Sequence, residues 1–169
     1  MKRIILVTGG QRSGKSSYAE GLAHQLTDQP VYLATAKIWD EEFRQRVLRH
    51  QQNRGPEWTN LEEETELSKY DLKDRVIVID CVTLWCTNFF FKYQDVQKTL
   101  DSIKTEFDKF TAQDATFIFV TNEIGLGGVS ENELQRKFTD IQGFINQYIA
   151  AKADEVILMV SGIPVKIKQ

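Results

Sequence analysis

A chain of 169 residues is long enough for one full hydrophobic core and short for two, so residues 1–169 are expected to form a single domain. Its 41% hydrophobic and 27% charged residues are the balance of an ordinary water-soluble globular protein. A formal net charge of -3 and a pI near 5.5 argue against general affinity for nucleic acid or acidic membranes, so a polyanion must meet a local cluster of positive charge.

The opening "MKRIILVTGG" reaches Gly9, Gln11 and Arg12 too soon for the apolar segment of a signal peptide. No apolar run approaches the roughly 20 residues that span a bilayer. Residues 3–9 read as a strand ending at glycines, and "SGKSSYAEGLAHQL" follows as a helix. Residues 30–36 read as a second strand. Residues 40–54 read as a helix carrying Phe43, Val47 and His50 on one stripe, at spacings of four and three. "GPEWTNLEEE" is a turn and a short extended piece. Residues 75–80 form a third strand, apolar until Asp80, and helices follow over 82–91 and 95–111. Residues 115–122 give a fourth strand and "EIGLGGVS" a flexible loop. Ser130 with Glu133 three residues on fits a capping box that starts a long helix. Residues 155–160 give a fifth strand, and "PVKIK" a short last one. Apolar strands alternating with helices predict an α/β fold, with a mostly parallel central sheet buried by helices on both faces.

Gly9, Gly14, Lys15 and Ser16 complete the pattern G-x-x-x-x-G-K-[ST] between a strand and a helix. Glycines there let backbone N–H groups converge on phosphate oxygens, and the helix N-terminus adds a favourable dipole. Lys15 is expected to reach the β- and γ-phosphates and Ser16 to ligate Mg2+. Asp80, ending an apolar strand, is expected at the ligand-binding edge of the sheet, where it completes the Mg2+ shell. The pattern does not separate ATP from GTP.

Arg46, His50 and Arg54 recur every four residues, with Arg49 beside them, and are expected to form one surface ridge. A neutral imidazole among guanidinium groups suits nucleophilic attack on phosphorus. The other reading packs His50 on the stripe with Phe43 and Val47 and leaves the arginines as a solvated face. His24 reads as structural. Glu123 is either a solvated loop carboxylate or a polar group at the active edge. Cys81 and Cys86 are most simply reduced and buried in a cytoplasmic protein. His24 and His50 are not spaced to complete a zinc site with them.

Taken in order, "GGQRSGKS", "YLATA", "RQRVLRHQQNRGPEW", "DCVTLW", "VTNEIGLG" and "FTDIQGFINQYIAAKADEVILMVSGIP" resemble the adenosylcobinamide kinase/adenosylcobinamide-phosphate guanylyltransferase family of cobalamin assembly. That resemblance implies a RecA-like P-loop NTPase, a homotrimer, and two activities. ATP or GTP would phosphorylate the aminopropanol hydroxyl of adenosylcobinamide. GTP would then pass GMP through a histidine to adenosylcobinamide phosphate, releasing pyrophosphate. The histidine falls on His50, with Lys15 as the other catalytic residue. Nucleotide contacts fall on Gly9, Gly10, Gln11, Arg12, Ser13, Gly14, Lys15 and Ser16. Others fall on Ala34, Thr35 and Ala36, on Gln51, Gln52, Asn53 and Arg54, and on Glu62. Arg46 and Arg49 are expected to neutralise phosphate, and neither nucleic acid nor membrane is an expected partner. The P-loop alone also permits a plain kinase of a small alcohol or a slow ATP-hydrolysing assembly module. Neither of these would carry a covalent nucleotide.

Overall fold

The computed structural model describes all 169 residues. Seven strands form one sheet: β1 (Arg3–Gly9), β2 (Val31–Ala34), β3 (Thr59–Glu62), β4 (Val76–Asp80), β5 (Thr116–Val120), β6 (Glu155–Val160) and β7 (Ile163–Lys168). They lie in the order β3-β2-β4-β5-β1-β6-β7. All neighbours are parallel except β6 and β7. The helices are α1 (Lys15–Leu26), α2 (Glu41–Arg54), α3 (Val82–Tyr93), α4 (Val96–Phe110) and α5 (Glu133–Lys152).

The central strands are apolar on both faces because both are covered. Ile4, Leu6, Ile77, Ile79, Phe117 and Phe119 point into the larger core, beneath α3, α4 and α5. Their alternates Ile5, Val7, Val78, Ile118 and Val120 meet Ala19 and Ala23 of α1 on the other face. α4 contributes Leu100, Ile103, Phe107 and Phe110, at the three- and four-residue spacing of a helix laid on a sheet. Phe110 meets Phe117 edge-on with ring centroids 5.0 Å apart, and Phe107 lies 5.2 Å from Phe119.

The short extended piece expected within residues 55–64 is the edge strand β3, paired with β2. One local expectation changes. The long helix begins later than Ser130: Asn132 is its cap, its side chain accepting from the Gln135 N–H at 3.0 Å. Ser130 instead accepts from the Asn132 N–H at 3.1 Å, so it shapes the turn before the cap. The final segment is the antiparallel β7, reached through a two-residue turn with Ser161 at φ 50 and Gly162 at φ 81.

Candidate active site

Strand register assembles the site. Ala34 pairs with Glu62 on one side and with Asp80 on the other, and Asp80 in turn is level with Val120 and Val7. One row across the C-terminal edge therefore carries Glu62, Ala34 and Asp80 to the foot of the loop that leaves β1. This is where open α/β sheets hold ligands.

Residues Gly9 to Ser16 turn from β1 into α1. A Cβ on Gly9 would lie 2.7 Å from both the Met159 carbonyl oxygen and Ser13 Oγ. Gly14 takes φ 91, and a Cβ there would approach Gly162 Cα at 3.3 Å. The Gly162 N–H donates to the Ser13 carbonyl at 2.9 Å, so the β6–β7 turn braces the loop. Gly10, Gln11 and Arg12 form the outer bend, with Arg12 at φ 54. Helices α2, α4 and α5 are capped by Asp40, Asp95 and Asn132, whereas α1 has no side-chain cap and no acid in its first turn. Its first N–H groups are thus left to an anion.

Lys15 is 7% exposed and donates to the Gly10 carbonyl and, at 3.4 Å, to Ser13 Oγ. Burial draws its ammonium pKa below the ordinary lysine value, against the opposing pull of Asp80. The Ser16 hydroxyl donates to Asp80 Oδ2 at 2.6 Å, and the Tyr32 hydroxyl donates to the same oxygen at 2.8 Å. Ser16 and Asp80 are hard oxygen donors in contact, and no cluster of three or more His, Cys, Asp or Glu side chains surrounds them. That donor set fits Mg2+ held by one or two protein oxygens together with substrate phosphates, rather than by an all-protein cage.

Helix α2 departs from expectation. It buries no residue, so His50 is not packed on a stripe with Phe43 and Val47; its imidazole is exposed. His50, Arg46, Arg49 and Asn53 line one recess of about 220 Å3. Arg46 also reaches Glu42 one turn back, at 3.2 Å. Arg54 leaves the expected ridge. Its side chain is 6% exposed and its guanidinium carbon lies 3.5 Å from the centroid of the Tyr32 ring. Arg54 Nε and Nη2 donate to Asn60 Oδ1 at 3.1 and 2.9 Å, and Nη1 lies 3.8 Å from Glu20 Oε1. The physical reason is that an aromatic face on β2, Asn60 on β3 and Glu20 on α1 together outcompete a place in water. Burial raises the Glu20 pKa, while Arg54 and, more weakly, His50 oppose the shift, so the histidine lies within electrostatic reach of α1.

The remaining expected contacts fall into three places. Gln51 Nε2 donates to Glu62 Oε1 at 3.2 Å, fastening α2 to β3, and Gln52 is exposed. Ala36 and Glu62 line a common recess of about 390 Å3. Thr35 is fully buried; its hydroxyl donates to the Cys81 carbonyl at 2.7 Å and accepts from the Cys81 N–H at 2.9 Å. Glu123 is tied to the P-loop strand: its N–H donates to the Gly9 carbonyl at 3.0 Å, and Oε1 accepts from Thr8 Oγ1 at 2.6 Å. Both cysteines are free and buried, and burial pushes the Cys81 thiol up to about 12. His24 is structural, accepting at Nε2 from the buried Trp58 indole at 3.0 Å. Sequence reasoning missed Tyr32, Asn60 and Glu20; a tyrosine within a strand, on the face that meets α1, was the one signal available.

Comparison with known proteins follows the same lines. The family profile for cobinamide kinase / cobinamide phosphate guanyltransferase matches residues 5–167. The bifunctional adenosylcobalamin biosynthesis protein CobU of Escherichia coli is 40% identical, the match covering 98% of this chain and 99% of the relative. The corresponding CobP of Pseudomonas aeruginosa is 34% identical, covering 96% of each. Among solved structures, a prototypical ATPase of a bacterial type III secretion system superposes with TM-score 0.60 at 11% identity, over 94% of this chain and 51% of that one. The flagellar accessory protein FlaH of Methanocaldococcus jannaschii gives TM-score 0.50 at 15% identity, over 98% and 78%. At such identities these two speak for the P-loop ATPase fold alone.

Proposed function

The chain belongs to the cobinamide kinase / cobinamide phosphate guanyltransferase family, and on that premise we propose that it performs both reactions, with the P-loop serving each and His50 carrying GMP between them. The observation that carries the reading is the exposed His50 in a recess whose other walls are Arg46, Arg49 and Asn53, on a helix fastened to β3 and, through Arg54 and Glu20, to the α1 helix that follows the P-loop.

In the kinase step the aminopropanol hydroxyl oxygen attacks the γ-phosphorus of ATP or GTP. The bond to the β-phosphate bridging oxygen breaks, and the hydroxyl proton is released. Lys15 and the loop N–H groups hold the triphosphate in line, which supplies most of the catalysis in such a transfer. In the second step His50 attacks the α-phosphorus of GTP and pyrophosphate leaves. The phosphate oxygen of adenosylcobinamide phosphate then attacks the same phosphorus, and the P–N bond breaks. Passing through a phosphoramidate spares the direct approach of two polyanions. Arg46 and Arg49 neutralise phosphate charge around His50. Glu62, in the same row of the sheet edge as Asp80, is one of the nucleotide contacts of this reading. Mg2+, when bound with the triphosphate at Ser16 and Asp80, supplies charge neutralisation.

The reading implies a protein that works in the cytoplasm as a homotrimer, with residues 1–169 acting as one domain. The experiment uses GTP labelled at the α-phosphate. Label that survives denaturation, is lost in acid, persists in alkali and is absent from His50→Ala is the expected result. Continued triphosphate turnover with no label on the unaltered protein overturns the transferase half.

A further inference from the structure

A cavity of about 1000 Å3 lies away from the P-loop, between α3 and α5. Both helices are rooted at the same residue of the catalytic edge. Asn122, just past β5 and next to Glu123, donates through Nδ2 to Thr83 Oγ1 on α3 at 3.0 Å. Its carbonyl accepts from Asn146 Nδ2 on α5 at 3.2 Å. A buried chain locks the root: Gln142 Nε2 donates to Thr121 Oγ1 at 2.9 Å, and Thr121 Oγ1 donates to Asn146 Oδ1 at 2.7 Å. Thr87 and Phe91 continue the Thr83 stripe on α3, while Phe138 and Leu134 continue the Asn146–Gln142 stripe on α5, at helical spacing. The lining of the trough thus starts at Thr87, one helical turn beyond Thr83, and runs out to Asn132 and Leu134 at the start of α5.

Its lining has a particular chemistry. Phe91 and Leu134 are 60% and 58% exposed, so a broad apolar surface faces the opening. Gln94, Gln97 and Gln135 put carboxamides around it. The charged lining groups are already engaged. Asp95 caps α4, accepting from the Lys98 N–H at 2.7 Å, and Lys137 pairs with Glu133 at 2.8 Å. Such a site suits a large ligand, apolar at its centre, fringed by amides and carrying little charge; it is a poor fit for a nucleotide.

We propose that this trough seats the corrin macrocycle, with the aminopropanol arm running past Thr87 and Thr83 to the P-loop edge. The assignment rests on the cobinamide reading above. An amidated corrin matches the lining in kind, an apolar floor with carboxamides at its rim, where Gln97 also donates to Asp101 at 2.9 Å and Gln135 accepts from the Ser130 hydroxyl at 2.8 Å. One helical turn separates Thr87 from Thr83, about 6 Å. The arm from ring carbon to hydroxyl has seven bonds and extends about 8 Å, enough for that step. The trough also adjoins the guanylyl-carrying segment: Trp39, just ahead of α2, packs edge-on against Phe91 with centroids 6.4 Å apart.

The test measures adenosylcobinamide binding by absorbance in equilibrium ultrafiltration, kinase kinetics, and α-labelling of His50, on the full chain and on Phe91→Ala/Leu134→Glu. Both altered residues are largely exposed, and neither belongs to the nucleotide machinery. The unaltered protein should bind the corrinoid. The double variant should bind it about tenfold more weakly, with KM raised in step, saturating kcat kept and labelling of His50 unchanged. Equal affinity in both proteins overturns the seat while leaving the enzyme reading intact. So does a double variant whose affinity holds while its oligomeric size falls, which would give the face to a second copy of the chain. No corrinoid binding by an unaltered protein that still takes the label overturns the substrate reading together with the seat. If the double variant loses labelling as well, Gln135→Glu, altering the rim alone, decides by the same measurements.

Discussion

Arg54→Lys keeps the charge at the end of α2 and removes the plane and the fork. Arg54 makes two donations to Asn60 and lies 3.5 Å from the Tyr32 ring centroid with its side chain 6% exposed. A hydrogen bond from a charged donor contributes about 1.5–3 kcal/mol, and lysine can keep only one of the two. A largely desolvated cation–π contact contributes up to about 2 kcal/mol, which the ammonium only partly retains. The substitution thus removes about 2–3 kcal/mol from the fastening of α2, or about 30- to 150-fold in the population of the docked helix. Apart from the Arg54 side chain, α2 is at most half-buried, so little packing is left to restore that loss. The expected outcome is a fall of that size in the rate of α-labelling of His50. Kinase kcat should stay within about threefold, since Lys15, Ser16 and Asp80 keep their contacts. Labelling at the parent rate would refute the reasoning and return Arg54 to the role of a simple positive charge. A parallel loss of kinase activity would show instead that Arg54 acts through Tyr32 on Asp80.

Gly9→Ala places a methyl 2.7 Å from the Met159 carbonyl, so both activities should fall by about a hundredfold or more with the circular dichroism spectrum unchanged; full activity would show that the loop yields there. Lys15→Met tests the sign of a buried charge. The folded pKa of Lys15 lies below its unfolded value of 10.5, so the fold binds that proton more weakly than the unfolded chain does. Stability of the unaltered protein therefore rises with pH between those two values. The variant should melt at higher temperature at pH 7, with an advantage that shrinks toward pH 10, while nucleotide turnover is lost; a lower melting temperature at pH 7 would refute the penalty. With Cys81 pushed up to about 12 by burial and by Asp80, its thiolate fraction at pH 8 is about 10⁻⁴. Cys86 is raised by burial too. A disulfide reagent should titrate neither thiol in the folded protein at pH 8 and both in denaturant, and a fast-reacting native thiol would contradict the packing around β4.

Much of this protein is written locally. The P-loop is legible because its chemistry depends on covalent spacing: eight consecutive residues from Gly9 to Ser16 fix where N–H groups, ammonium and hydroxyl lie relative to one another. Asp80 is legible because an apolar run ending in a carboxylate has one sensible position in an α/β sheet. The central strands are legible because each is a short, nearly continuous apolar run, as a sheet covered on both faces requires. The sequence places the cap of α5 two residues early because Ser130 and Asn132 are both competent caps, and only the path of the preceding turn selects between them.

Tertiary structure decided what helical and strand periods do not encode. Periodicity says which residues share a face, not what that face meets. It put Arg54 with Arg46 and His50, whereas the nearby Tyr32 ring and Asn60 drew it inward. Parallel register brought Glu62, Ala34 and Asp80 into one row from three separate parts of the chain. The trough between α3 and α5 is lined by two helices distant in sequence that both hydrogen-bond to Asn122. Short-range sequence settles groups whose positions are linked by a few bonds. Groups brought together across dozens of residues are set by which apolar faces close on one another, and that is a property of the whole fold.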